Sequence, residues 1–253
     1  MSQRQYHIYF GLMARQQIYI GTSGWTYDDW AERFYPAKVK GSERLLFYAQ
    51  HFDTVEVNAT FYRLPTEPML KAWNQRLGAD FHLVVKASRL ITHMKKLKDC
   101  EEPLQNFLDR VLTLKRLKVI LWQLPPSINK DLDRLDHFLT GLPQTVRHAV
   151  EFRHESWWSE DAAELLARHS AAFVTISHPQ LPDTVYPTSD FLYMRFHGSS
   201  QQGFRHDYPR QELTEWAARM KPYLTERTLY AFFNNDYHAH APRNAVVFKE
   251  LFS

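Results

Sequence analysis

Short apolar runs that stop on a charged or amide residue recur along this chain: Val55-Glu56-Val57-Asn58, Leu83-Val84-Val85-Lys86, Ile120-Leu121-Trp122-Gln123, Val150-Glu151-Phe152-Arg153, Tyr193-Met194-Arg195-Phe196-His197 and Phe232-Phe233-Asn234-Asn235-Asp236. A strand buried on both faces is almost wholly apolar. Polar groups gathered at the same end of several strands therefore predict a parallel sheet whose strand ends share one polar pocket. Stretches of helical period separate the runs. One, Ser42 to His51, opens on a serine suited to an N-cap and continues with a broad apolar stripe.

The spacing predicts strands over Ile18 to Ser23, Thr54 to Asn58, His82 to Ala87, Lys118 to Leu124, His148 to Phe152, Ala172 to Ser177, Phe191 to Phe196 and Thr228 to Phe233, in an alternating order of eight strands and eight helices. No Gly-rich dinucleotide fingerprint accompanies them, so a closed (β/α)8 TIM-like barrel is expected over an open doubly wound sheet. At 253 residues the chain has the length such a barrel needs as a single domain. No linker rich in Gly, Pro or Ser divides it. Residues 18–253 are expected to form that domain, and residues 1–17 a flexible extension or an over-long start preceding Met13.

Charge and cysteine usage restrict the function classes. The formal net charge of +3, from 31 basic and 28 acidic residues, is too balanced to make the whole surface a nucleic-acid footprint, so any basic patch is local. Cys100 is the single cysteine and forms no internal disulfide, which fits a cytoplasmic protein. The apolar stretch Ile8 to Ala14 is broken by Gly11 and followed by Arg15, a poor signal peptide. No window approaches the roughly 20 apolar residues of a membrane span, and no membrane partner is expected.

Residues two apart on a strand share a face, so Glu56 with Asn58, Glu151 with Arg153, and Arg195 with His197 point the same way. In a barrel, Glu56, Lys86, Gln123, Glu151, Arg153, Arg195, His197 and Asn234 would converge at the upper layer. Glu56 and Glu151 are the acid–base candidates, Lys86, Arg153 and Arg195 the anion-holding ones, and Asn58, His197 and Asn234 the orienting ones; Gln123 lines the same opening. The plainer alternative is a structural salt-bridge network. Trp25, Tyr27, Tyr62, Trp157 and Trp158 fall just beyond strand ends, where rings stack on a base or sugar, whereas Trp73 and Trp216 sit in helix patterns and belong to packing. The loop His197 to His206 carries glycines and hydroxyls where barrels often bind phosphate. A divalent metal is not favoured, for neither HExxH nor paired CxxC spacing occurs; its ligands would come from His178, His197 and Asp236 with Glu56 and Glu151.

Several of these motifs also carry a resemblance. Gly21-Thr22-Ser23-Gly24-Trp25-Thr26-Tyr27-Asp28-Asp29-Trp30 with Phe34-Tyr35-Pro36, Val55 to Arg63, Ile91-Thr92-His93, Gln123-Leu124-Pro125-Pro126, Val150 to His154 with Ser156-Trp157, Arg195 to Gly198 and Phe233 to Asp236 resemble the YecE-like family across Ile18 to Phe252. That family is a domain of unknown function, so the resemblance implies a TIM-like barrel and no settled reaction. The function expected from the residues is a polar pocket for a phosphorylated or nucleotide-like small anion, with hydrolase or lyase chemistry. The alternative is a non-catalytic barrel that binds nucleic acid or a protein partner.

Overall fold

A computed structural model describes residues 17–253, so the extension expected before Gln17 lies outside the described residues. Its elements follow in the order β1 (Ile18–Thr22), α1 (Arg44–Tyr48), β2 (Thr54–Val57), α2 (Ala59–Tyr62), α3 (Glu67–Arg76), β3 (His82–Lys86), α4 (Glu101–Val111), β4 (Leu117–Gln123), α5 (Leu132–Thr140), β5 (Arg147–Glu151), α6 (Glu160–Arg168), β6 (Ala172–Ser177), β7 (Phe191–Phe196), α7 (Arg210–Met220), β8 (Thr228–Phe233) and α8 (His240–Glu250). All strand pairs are parallel, in the order β1-β8-β7-β6-β5-β4-β3-β2, which bears out the single TIM-like barrel.

The described residues hold eight strands and eight α-helices, yet the helices do not alternate strictly. The β2–β3 crossover carries two, α2 and α3, and the β6–β7 crossover carries none. Proline explains the missing helix, because Pro179, Pro182 and Pro187 each remove a backbone donor and fix φ within this crossover.

Two apolar layers follow from the two-residue period of the strands. Outward-facing Trp122, Phe196 and Phe233 pack against the helices, with Phe196 and Phe233 stacked at 4.1 Å and Phe248 of α8 edge-on to both. Inward-facing Val84, Leu121, Val174, Tyr193, Tyr230 and Phe232 fill the barrel, so its middle is a core and not a pore. At the N-terminal end Tyr19 stacks on His82 at 3.8 Å, and His82 Nδ1 meets the Tyr230 hydroxyl at 2.8 Å. Burial, and then Lys118, push the His82 pKa down to about 4, so this plug is neutral.

The barrel closes at the seam between β1 and β2, where side chains replace most of the ladder. One bridge pairs Ser23 with Glu56, and the Gly24 amide donates to the Glu56 carbonyl at 2.8 Å. Below it the Tyr48 hydroxyl accepts from the Thr22 amide at 2.9 Å and donates to the Thr54 carbonyl at 3.1 Å. A phenol from α1 thus bridges two strand backbones. Gly21 permits the close approach, since a Cβ there would lie 2.4 Å from the Thr54 carbonyl oxygen.

Candidate functional site

The predicted inward residues meet at the C-terminal mouth of the barrel, in two tiers. The lower tier centres on Arg195 of β7, only 1% exposed. Its guanidinium donates through one nitrogen to Glu56 at 2.7 Å and through another to Glu151 at 2.6 Å, so one cation spans β2 and β5. Tyr193, two residues earlier on the same face, donates to the other oxygen of Glu56 at 2.6 Å. Arg153 donates through Nε to the remaining oxygen of Glu151. All four carboxylate oxygens therefore accept an internal donor.

Electrostatics follow from this enclosure. Burial acts to raise the pKa of Glu151, but the guanidinium groups of Arg153 and Arg195 outweigh it and hold the group well below the usual carboxylate range. Burial alone would weaken the charge on Arg195, and Glu151 and Glu56 reverse that effect and raise its pKa. The Tyr193 phenol is pushed far up by burial, with Glu56 adding to the effect, so it is a fixed donor. Glu151 is an ion at every moderate pH.

That assignment carries a pH signature. A carboxylate near pKa 4.3 in the unfolded chain and far lower when folded contributes stability that is complete above about pH 4.3 and lost as pH falls through the folded value. Glu151→Gln is therefore expected to be less stable than the parent at neutral pH, with the gap narrowing as pH drops below that of the free acid. Urea unfolding across an acid series measures the gap; a gap independent of pH would rule out the ion-paired Glu151.

The upper tier opens to solvent. His197 Nε2 lies 2.7 Å from an Arg153 nitrogen and 3.3 Å from Arg195, and its Nδ1 is 3.1 Å from the Asn234 amide. Burial, followed by Arg153 and Arg195, lowers the His197 pKa well below its ordinary value, leaving a neutral ring that accepts at Nε2. Lys86, at the end of β3, is partly buried with its ammonium 4.2 Å from the centre of the Phe61 ring. Gln123 ends β4 on the same face. Asn58 donates weakly to the Ser23 carbonyl at 3.4 Å, and its own carbonyl oxygen is buried with no partner among the described residues.

Several expectations are corrected. The Trp25 ring does not face the mouth; it is buried edge-on against Trp73 at 5.9 Å, because the loop after β1 folds down over α3. Trp157 is likewise core, stacked on Phe152 at 4.4 Å. Tyr27 is half-buried with its hydroxyl donating to the Ser23 carbonyl, and Tyr62 is 71% exposed. Trp73 and Trp216 are packing residues as read.

The loop from His197 to His206 does not offer the free glycine amide expected of a phosphate loop. Gly198 N–H donates to the Tyr208 hydroxyl at 2.7 Å, and Tyr208 in turn donates to Ser177 at 2.8 Å. Gly198 has φ +93°, and a Cβ there would fall 2.0 Å from the Gly203 carbonyl oxygen, so the loop is folded back on its own backbone. Nor do His178, His197 and Asp236 form a ligand set: among the described residues no three His, Cys, Asp or Glu side chains are placed to hold a metal ion. His197 is engaged with Arg153 and Asn234, and His178 Nδ1 accepts from the Gln180 amide. Cys100 is buried and free.

Three contributors escaped the sequence reading. Tyr193 was legible, since it shares the face of Arg195. Ser23, 3.4 Å from Arg195, and Phe61, under the Lys86 ammonium, depend on the β1–β2 seam and on α2, which no local pattern announces.

Fold and site together define a single-domain TIM-like barrel with an ion-paired polar mouth. Residues 19–253 match the model of a family described as "Protein of unknown function DUF72", and the chain belongs to that family. The resemblance read from the motifs is thus borne out. UPF0759 protein YecE of Escherichia coli K12 is 32% identical over 149 residues, 58% of this chain and 52% of that protein, so the chain matches about half the length of this relative. UPF0759 protein YunF of Bacillus subtilis 168 is 25% identical over 268 residues, covering 92% of this chain and 94% of that one. Among solved structures, a DUF72 family protein from Thermotoga maritima superposes with a TM-score of 0.81 at 31% identity, covering 92% of this chain and 98% of its own. One from Enterococcus faecalis, at 20% identity and TM-score 0.78 over 93% and 95% of the two chains, shares the fold. Among the described residues no helix is long and apolar enough to cross a membrane.

Proposed function

We propose that the mouth binds a small anionic ligand, a phosphorylated or nucleotide-like compound, with Arg153 as its principal holder. The observation that carries this reading is the distribution of satisfied and unsatisfied donors. Arg195 gives its two terminal nitrogens to two carboxylates, leaving only its buried Nε without a partner among the described residues, and the two acids Glu56 and Glu151 are matched by the two arginines Arg153 and Arg195. What remains toward the opening is cationic or donating: the outer edge of the Arg153 guanidinium, the Lys86 amine and the Gln123 amide, and among the described residues neither Lys86 nor Gln123 pairs with an acid. A phosphate oxygen matches the planar fork of an arginine. Asn58 and Asn234 flank the opening and orient the ligand, with neutral His197 fixing the Arg153 edge. Glu56 and Glu151 act on the chemistry through Arg195 and Arg153, whose position and charge they set. A hydrolase or lyase reaction fits a site holding an anion beside the ionised Glu151 carboxylate. A cytoplasmic setting accords with one buried, unpaired cysteine.

A second reading has its own observation. Lys95, Lys96, Lys98 and Lys130 border a groove between the β3–α4 and β4–α5 connections, with Asp131 also in its lining and Lys130 paired to Asp161 at 2.7 Å. Such a row suits a nucleic-acid backbone. Titration calorimetry with inorganic phosphate, ribose 5-phosphate and a single-stranded oligonucleotide separates the two. The small-anion reading expects phosphate-ester binding that weakens by about 10- to 100-fold in Arg153→Met, the loss of one charge-assisted pair. Oligonucleotide binding that falls steeply with salt and survives Arg153→Met would favour the groove instead.

A further inference from the structure

We infer that Lys86 is a nucleophilic amine that condenses with a phosphorylated aldehyde or ketone to form an imine at the end of β3. This deepens the small-anion reading and rests on it for the phosphate, but not for the amine. Among the described residues Lys86 makes no ion pair; its nitrogen stands over the Phe61 ring, whose face attracts a cation but supplies no full counter-charge for the water that the ring displaces. The charged and titratable groups facing it are Arg195 from β7, Glu151 and Arg153 from β5, Glu56 from β2 and His93 from the turn after β3.

Those two acids are ion-paired with the two arginines and not with the lysine; their pull toward the charged form is opposed by burial and by Arg195 and Arg153. Burial, then Arg195, lower the Lys86 pKa to about 7, and His93, lowered to about 4 by burial and by Lys86, stays neutral beside it. A desolvated lysine next to another cation is the recognised way to prepare an amine nucleophile at neutral pH. Arg153 would hold the phosphate of the substrate while the carbonyl carbon meets Nζ. In the condensation the nitrogen lone pair forms the C–N bond, the carbonyl C–O bond breaks, and the oxygen leaves as water with the two protons shed by nitrogen. No oxidant or metal enters the balance.

Pyridoxal 5′-phosphate and pyridoxal, each followed by borohydride and peptide mass spectrometry, test the inference on the full chain. Borohydride adds hydride to the imine carbon and fixes the adduct as a secondary amine. Lys86 is expected to be labelled at least about tenfold faster at pH 7 than exposed lysines such as Lys38 and Lys98, because a free lysine amine in water, with a pKa of about 10.4, is almost wholly protonated at that pH. Its rate should rise through about pH 7 and level off above it. Lys86→Arg, which keeps the charge over Phe61, should stay folded and lose the label. Slower labelling by pyridoxal, and protection by inorganic phosphate, would support both the amine and the anion site. Equal labelling by the two aldehydes without phosphate protection would keep the amine and overturn the anion site. Labelling of Lys86 no faster than of surface lysines overturns the amine, whether or not phosphate binds in calorimetry.

Discussion

Replacing Arg195 with methionine is expected to destabilise the barrel by about 3–5 kcal/mol, because it strands two buried carboxylates without their shared cation. Glu56 and Glu151 are both fully buried, and each gives one oxygen to this guanidinium. Arg153 and Tyr193 remain as donors to the outer oxygens but do not replace the charge between them. Much of a total stability of about 5–15 kcal/mol would be lost. Denaturant unfolding of Arg195→Met against the parent measures it. The triple variant Arg195→Met with Glu56→Gln and Glu151→Gln should recover part of the loss, since the remaining cost is then that of neutral polar groups. A single variant within about 0.5 kcal/mol of the parent, the range of surface changes, would contradict the clamp.

The second large effect is at the seam. Gly21→Val is expected to cost about 3 kcal/mol or more, beyond the usual range of tolerated overpacking, because its Cβ would collide with backbone and not with a movable side chain. The obstructing atom is the Thr54 carbonyl oxygen at 2.4 Å, with the Tyr48 hydroxyl next at 2.9 Å. Relief of the clash moves β1 away from β2. That breaks the relay through Tyr48 and the bridge between Ser23 and Glu56 together. Amide exchange should report the damage locally: the Thr22 and Gly24 amides lose protection first, while β4 and β5 retain theirs. Uniform loss across all eight strands, or none, would show that the β1–β2 seam is not the weak closure of the barrel.

The fold was legible to the extent that it rests on period and parity. Glu56, Glu151 and Arg195 each sit one residue short of an apolar neighbour on a buried strand, so their inward direction follows from alternation alone. Which of them touch does not, because contact depends on how the strands stagger around the closed barrel. Arg195 reaching both β2 and β5 is a product of that closure. Trp25 was misread for a related reason: an aromatic just past a strand end lies as readily against a helix as over a pocket, and Trp73 on α3 supplied the packing partner. The phosphate-loop expectation failed because Tyr208, ten residues along, occupies the Gly198 amide. Likewise the prolines between β6 and β7 replaced a helix that the barrel rhythm expects.

Lys86 illustrates the opposite case. In sequence it ends an apolar strand as one cation among several, indistinguishable from Arg153 and Arg195. In the structure the two arginines consume the available acids, and the lysine is left over an aromatic ring. The difference in role arises from charge pairing across strands.

Crystals of the protein soaked with tungstate, a heavy tetrahedral stand-in for phosphate, test the central claim most directly. An anomalous peak within hydrogen-bond reach of the outer edge of Arg153, between Lys86 and Gln123, is the predicted result. Peaks confined to the lysine groove around Lys96 and Lys98, with none at the mouth, would contradict it.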